Sequence, residues 1–249
     1  IAPYSKVDHY ILARLNYIIK QTQKNLDRYE FAIAGNELID FIWNDFCSNY
    51  IEFAKPILNG DDEKAKEATR HTLLYVLEVI TRLLNPFVPF IAEEIYGEIH
   101  SKEDSVNTAL WPEVFEGVDE TKAKEVEEMI EIIKKVRELK STNDLKPSSL
   151  LHARLKDTFD FDETCLNILK RLIKLEFVSE LSGETMIIAL SKGSLELLMD
   201  EVSDKEATIQ KLRADLKHYE SEIKRSKGIL SNENFLKKAP KDKVDSEKE

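Results

Sequence analysis

The residues best suited to chemistry in this 249-residue chain are cations, and they gather towards its end. Lys211, Arg213, Lys217, Lys224, Arg225, Lys227, Lys237 and Lys238 are interleaved with apolar residues. Between 205 and 243 the count is 11 Lys and Arg against 6 Asp and Glu, on a chain of formal net charge −11. A basic arm on an acidic body can bind a polyanion, because contact depends on the local potential. Each phosphate it neutralises steepens the salt dependence of binding. A solvated coiled-coil face, with i,i+4 partners such as Glu220 and Lys224, accounts for the same charges without a ligand. A second group, Lys134, Lys135, Arg137 and Lys140, closes a predicted helix, where cations also complement the macrodipole.

Nothing in the pattern resembles a catalytic centre. No Gly-x-Gly or Walker-type loop occurs. The adjacent acids Glu93-Glu94 and Asp61-Asp62 do not share a helix face, so they make poor acid–base pairs. His9, His71, His100, His152 and His218 are scattered, no Cys or His pair has ligand spacing, and no metal is expected. Cys47 and Cys165 read as two buried free thiols in a reducing compartment, the cytoplasm. No apolar run approaches the roughly 20 residues of a membrane span. The start, IAPYSKVDHY, has neither signal-peptide order nor an initiator Met, which points to a portion of a longer chain.

The elements that must position these residues are mostly helical. Apolar periodicity predicts helices over Lys6–Leu26, Phe31–Ala54 (ended by Pro56), Asp62–Leu84, Pro89–His100 and Thr121–Lys140. The second carries a wide stripe, Leu38, Ile39, Ile42, Trp43, Phe46, Cys47, Tyr50 and Phe53, and is expected to be touched from several sides. At Leu83–Tyr96, LLNPFVPFIAEEIY, two prolines force a bend, with Phe87, Phe90 and Ile91 expected to seal the core and Trp111 to tuck against it. After Pro147 the pattern changes: strands at Leu150–Lys156 and Leu175–Leu181 flank a helix at Phe161–Lys174, and a hairpin spans Thr185–Met199. From Val202 a heptad takes over, with Ile209, Leu212, Leu216, Tyr219 and Ile223 as its strongest seam. The expected fold is mainly α: a helical bundle over 1–140, a small α+β module over 141–200 and a coiled-coil arm over 201–249, its second helix cut short.

Four stretches taken together resemble the C-terminal part of the bacterial-type valyl-tRNA synthetase family. They are DHYILARLN (8–16), YEFAIAGNELIDFIWNDFCSNYIEFAK (29–55), LNPFVPFIAEEIY (84–96, with Trp111-Pro112 after it) and KLRADLKHYESEIKRSKGILSNENFLKKAP (211–240). The proline corner is shared among several class I synthetases; the helix around DFCSNYIE and the LSNENFLKKAP turn are more specific. Ser48-Asn49 stand where the family usually has Asp-Trp.

The resemblance implies an anticodon-binding bundle, a linking module and an arm lying against the tRNA body. The ATP-using Rossmann domain of the family would lie upstream, and no cofactor is expected in this chain. Arg14, Tyr29, Phe31 and Asn44, on or beside the matching motifs, are the candidates for the anticodon surface. Splayed bases are read there by stacking and by hydrogen bonds to base edges. Packing in the core is the alternative for Tyr29 and Phe31. Lys134 and Arg137 would hold stem phosphates, and Lys211, Arg213, Lys217, Lys224, Arg225, Lys237 and Lys238 the outer tRNA body, with tRNA(Val) as partner. A module of another class, which dimerises or binds a helix through its heptad seam, fits the same arm.

Overall fold

The computed structural model describes residues 2–100, 104–156, 159–198, 216–217, 219–221 and 223–227. Helix α1 (Lys6–Asp27) starts with a capping box, in which the Ser5 hydroxyl accepts the Asp8 amide and the Asp8 carboxylate accepts the Ser5 amide. Its Val7, Ile11, Leu12, Leu15, Ile18 and Ile19 are buried. Each such aliphatic side chain contributes about 1.5–3 kcal/mol by leaving water. Helices α2 (Phe31–Asp40), α3 (Ile51–Leu58), α4 (Glu63–Leu84), α5 (Pro89–Ile99) and α6 (Glu120–Thr142) complete the bundle. Asp62 caps α4 and Asp119 caps α6, each accepting two backbone amides.

Between α2 and α3 the chain stays helical but changes period. Phe41–Tyr50 is π-helical, and the Ile51 amide donates to the Phe46 carbonyl five residues back. The buried positions of this segment are Phe41, Phe46 and Tyr50, spaced by five and four instead of by three and four. Of the stripe read with a 3.6-residue period, Leu38, Phe46, Tyr50 and Phe53 are buried and Ile42 packs against the core, and the exceptions need correcting. Ile39 and Trp43 face outward, Trp43 being 66% exposed, and Cys47 is only partly buried. Pro56 does not end the helix. It removes its own amide from the ladder, and the Asn59 amide still closes the turn on Lys55 and Ile57.

The corner between α4 and α5 bends where the prolines require, but its side chains part company. Phe87 and Trp111 pack against the core, as expected. Phe90 and Ile91 do not seal it: Phe90 is 90% exposed and Ile91 also faces out. Entering α5 in its first turn, they point away from α4, and Ala92 and Tyr96 supply the buried face.

The module after α6 is a four-stranded sheet in the order β2-β1-β4-β3. Strand β1 (Leu151–Lys156) runs parallel to β2 (Leu175–Phe177) across helix α7 (Glu163–Ile173), and β3 (Thr185–Ala189) forms a hairpin with β4 (Ser194–Leu198). Strand β2 is shorter than its sequence suggests. Leu151, Ala153, Cys165, Ile168, Leu169, Leu195 and Leu197 join the bundle residues in one core cluster.

Two buried polar groups tie these elements together. The Lys140 ammonium is not a dipole partner at the surface. It is 4% exposed and donates to the carbonyls of Pro147, Ser149 and Ile173 at 3.1, 2.6 and 2.7 Å, joining α6 to the module. His9 Nδ1 accepts the Asp119 amide at 3.1 Å, which requires a neutral imidazole. Burial holds its pKa below the ordinary 6.5, and Lys122 acts in the same direction. The unfolded chain therefore takes up the proton first, so stability is full above the unfolded value and falls as acid approaches the folded one. Thermal midpoints are expected to fall between about pH 7 and about pH 5, and His9→Gln to shrink that fall. An unaltered pH dependence in the variant would assign the effect to carboxylates instead.

Candidate nucleic-acid interface

Four of the predicted residues meet in one groove of about 1060 Å³, although they come from parts of the chain up to 123 residues apart. Helix α1 supplies Arg14, the π-helical segment Asn44, and α6 Lys134 and Arg137. They converge because α1 packs along α6 through Ile11, Leu15, Ile130 and Ile133, all buried in the same cluster. Arg14 Nε donates to Asp45 Oδ2 at 2.9 Å, and its guanidinium lies 5.2 Å from the Tyr17 ring centroid. Burial works against the charge on Arg14, and the Asp45 carboxylate outweighs it, so the pKa rises. Asn44 is exposed and donates to Asp40 Oδ1 at 2.6 Å.

The groove is not simply basic. Asp40, Asp45, Glu127, Glu128 and Glu131 also line it. Several of these acids are engaged: Glu131 accepts the Ser191 amide at 2.9 Å and Glu128 meets the Lys192 ammonium at 3.4 Å, both at the tip of the β3–β4 hairpin. The module thus forms one edge of the groove. Lys134 and Arg137 are exposed and carry no ion pair among the described residues. A compensated floor with two open cations beside it suits polar recognition below and phosphate contact at the rim.

Tyr29 and Phe31 lie elsewhere, at the turn from α1 into α2 and about 20 Å along α1 from Arg14. They are not core residues. Tyr29 is 80% and Phe31 55% exposed, and the rings meet edge to face at 6.2 Å. Tyr29 has φ +60°, a left-handed conformation that is uncommon for an aromatic residue. The Tyr29 and Glu30 amides donate to Leu26 and Asn25, which fixes the turn. One helical turn further on, Gly35 backs onto Phe87: a Cβ there would sit 3.6 Å from the Phe87 ring. The proline corner, with exposed Phe90 and Ile91, therefore shares this end of the bundle with Tyr29 and Phe31.

Residues not singled out from the sequence link the two places. Tyr17, Gln21, Lys24 and Arg28 continue from Arg14 with spacings of three and four and form one row along α1, leading from the groove to the aromatic end. That spacing was the available signal. Of the arm cations, Lys217, Lys224 and Arg225 are exposed on a helical stretch. Lys211, Arg213, Lys237 and Lys238 lie outside the described residues.

Comparison with known proteins bears on this geometry. The family described as "Anticodon-binding domain of tRNA ligase" matches residues 8–155, more than half of the chain. The chain belongs to this family. A second family, "Valyl tRNA synthetase tRNA binding arm", matches residues 204–249. Valine–tRNA ligase of Mesoplasma florum is 36% identical over 252 residues, covering 98% of this chain and 28% of that protein. The enzymes of Clostridium perfringens and Bacillus subtilis are 34% and 33% identical, each over 98% of this chain and 29% of their own length. The chain thus spans less than a third of these relatives. The anticodon-binding match takes in all of the bundle from Asp8 onward, with the groove's Arg14, Asn44, Lys134 and Arg137, the α1 row and the proline corner.

Among the described residues no group of His, Cys, Asp or Glu is arranged to hold a metal, and no helix is long and apolar enough to cross a membrane.

Proposed function

We propose that this chain is the tRNA-binding portion of a valine–tRNA ligase, with tRNA(Val) as its partner. The bundle over 1–140 takes the anticodon stem-loop and the arm over 201–249 the tRNA body, with the module over 141–200 between them. What carries the reading is the order of two matched regions in one chain, an anticodon-binding domain at 8–155 and a tRNA-binding arm at 204–249. The exposed aromatic end of the bundle supports it, since Tyr29, Phe31 and Phe90 offer faces to unstacked bases, and the α1 row offers donors. Lys134 and Arg137 take stem phosphates. ATP-dependent attachment of valine would be the work of a catalytic domain outside residues 1–249, and the tRNA-binding role assigned here calls for no cofactor.

Filter-binding titration of the chain with a tRNA(Val) transcript over a range of salt tests this. Binding is expected at low salt, with log affinity falling linearly against log salt. Replacing Lys134 and Arg137 by Ala is expected to reduce the slope by about one per lost phosphate contact. No binding at low salt would overturn the reading. The exposed Leu216, Tyr219 and Ile223 favour one further reading, association of copies through the seam. A monomer in light scattering at high concentration would discard it.

A further inference from the structure

Asp45 divides its carboxylate between two residues of α1. Oδ1 accepts the hydroxyl of buried Tyr10 at 2.7 Å, and Oδ2 accepts Arg14 Nε at 2.9 Å. The pair is well shielded, Asp45 retaining 14% and Arg14 34% of side-chain exposure. A guanidinium carries five donors in a rigid fork. The bond to Asp45 uses Nε alone and the guanidinium rests near Tyr17, so the terminal Nη groups remain for a ligand in the groove. The π-helical turn matters here, because its wide period turns Asp45 towards α1 while Tyr50, five residues on, also reaches α1 at Asp8.

We propose that Asp45 is a positioning residue, which, steadied by Tyr10, holds Arg14 with its Nη fork ready for an oxygen acceptor of the bound tRNA. The inference rests on the RNA-binding reading above. The acceptor is a phosphate or a base edge, and the two differ in salt dependence. Charge alone predicts the opposite sign for Asp45, because removing an anion from a polyanion-binding groove tightens binding.

The test is a double-mutant cycle on the whole chain, with Asp45→Ala, Arg14→Ala and the pair, each titrated with a tRNA(Val) transcript and each melted to check folding. Asp45→Ala and Arg14→Ala are each expected to weaken binding about ten-fold, and the pair no more than Arg14→Ala alone. A slope reduced by about one in Arg14→Ala identifies a phosphate, and an unchanged slope a base edge. Tighter or unchanged binding by Asp45→Ala overturns the proposal. So does a full multiplicative loss in the pair, which would give Asp45 a role independent of Arg14. If Asp45→Ala melts early, Tyr10→Phe replaces it, with about three-fold weaker binding expected and unchanged affinity overturning the proposal. Failure of the unaltered chain to bind at low salt would remove the RNA-binding reading itself, a result distinct from normal binding with an indifferent Asp45.

Discussion

Asp8→Ala is expected to lower the thermal midpoint of this chain by about 10 °C, corresponding to a loss of about 3 kcal/mol at this length. Asp8 has no solvent exposure, yet its carboxylate accepts the Tyr50 hydroxyl at 2.6 Å, the Thr69 hydroxyl at 3.3 Å and the Ser5 amide at 3.0 Å. Its hydrogen bonds therefore tie α1 to the π-helical segment and to α4. Alanine removes the carboxylate acceptor of the fully buried Tyr50 hydroxyl and half of the capping box. Burial, and then the neighbouring Asp8 charge, already push the Tyr50 phenol well above its usual range, so ionisation offers no escape. Tyr50→Phe, which deletes one donor and leaves the carboxylate its other partners, is expected to cost about 1 kcal/mol. Differential scanning calorimetry separates the two. Equal losses would show that Asp8 acts only through Tyr50.

Loss of the aromatic pair at the bundle end is expected to act on binding and spare the fold. Tyr29→Gly with Phe31→Ala should weaken tRNA(Val) binding by about 30-fold or more, since a stacked base contributes on the order of 1–3 kcal/mol. Glycine is chosen at 29 because φ there is +60°, a conformation it adopts without strain. The double variant should consequently melt no lower than the unaltered chain. Binding that keeps its strength would show that the exposed rings serve no stacked base. A lower melting point would show that they brace the turn.

The parts of the fold that depend on one helix at a time were legible in the sequence. The 3.6-residue period located α1, α4 and α6, and the β3–β4 hairpin followed from the turn Ser191-Lys192-Gly193 between two apolar runs. In the π-helical stretch the α-helical template found Phe46 and Tyr50 but missed Phe41, which stands five residues before Phe46. The same template made the stripe wide enough to take in Ile39 and Trp43, which are exposed. Phe90 and Ile91 show a related limit: an apolar residue in the first turn of a helix does not reveal whether it faces the neighbour or the solvent.

The candidate site divides in the same way. Arg14, Asn44, Lys134 and Arg137 were picked by residue type and motif, but their meeting depends on α1 packing against α6, which no local pattern encodes. Lys140 looked like its neighbours on α6. It differs because the Ile173 carbonyl, from an element 33 residues later, closes over it.

The altered period between Phe41 and Tyr50 also sets a rule about length. Asp45 and Tyr50 both have to reach α1 and stand five residues apart. In an α-helix five residues turn about 500°, leaving the two side chains about 140° apart. At about 4.4 residues per π-helical turn they stand only about 50° apart. Deleting a residue between Phe41 and Asp45 so that the stretch became α-helical would leave the two side chains about 140° apart and send one of them away from α1, whereas a deletion between Asp45 and Tyr50 would leave them four residues and only about 40° apart. Across relatives, a one-residue gap is therefore expected between Asp45 and Tyr50 more readily than between Phe41 and Asp45.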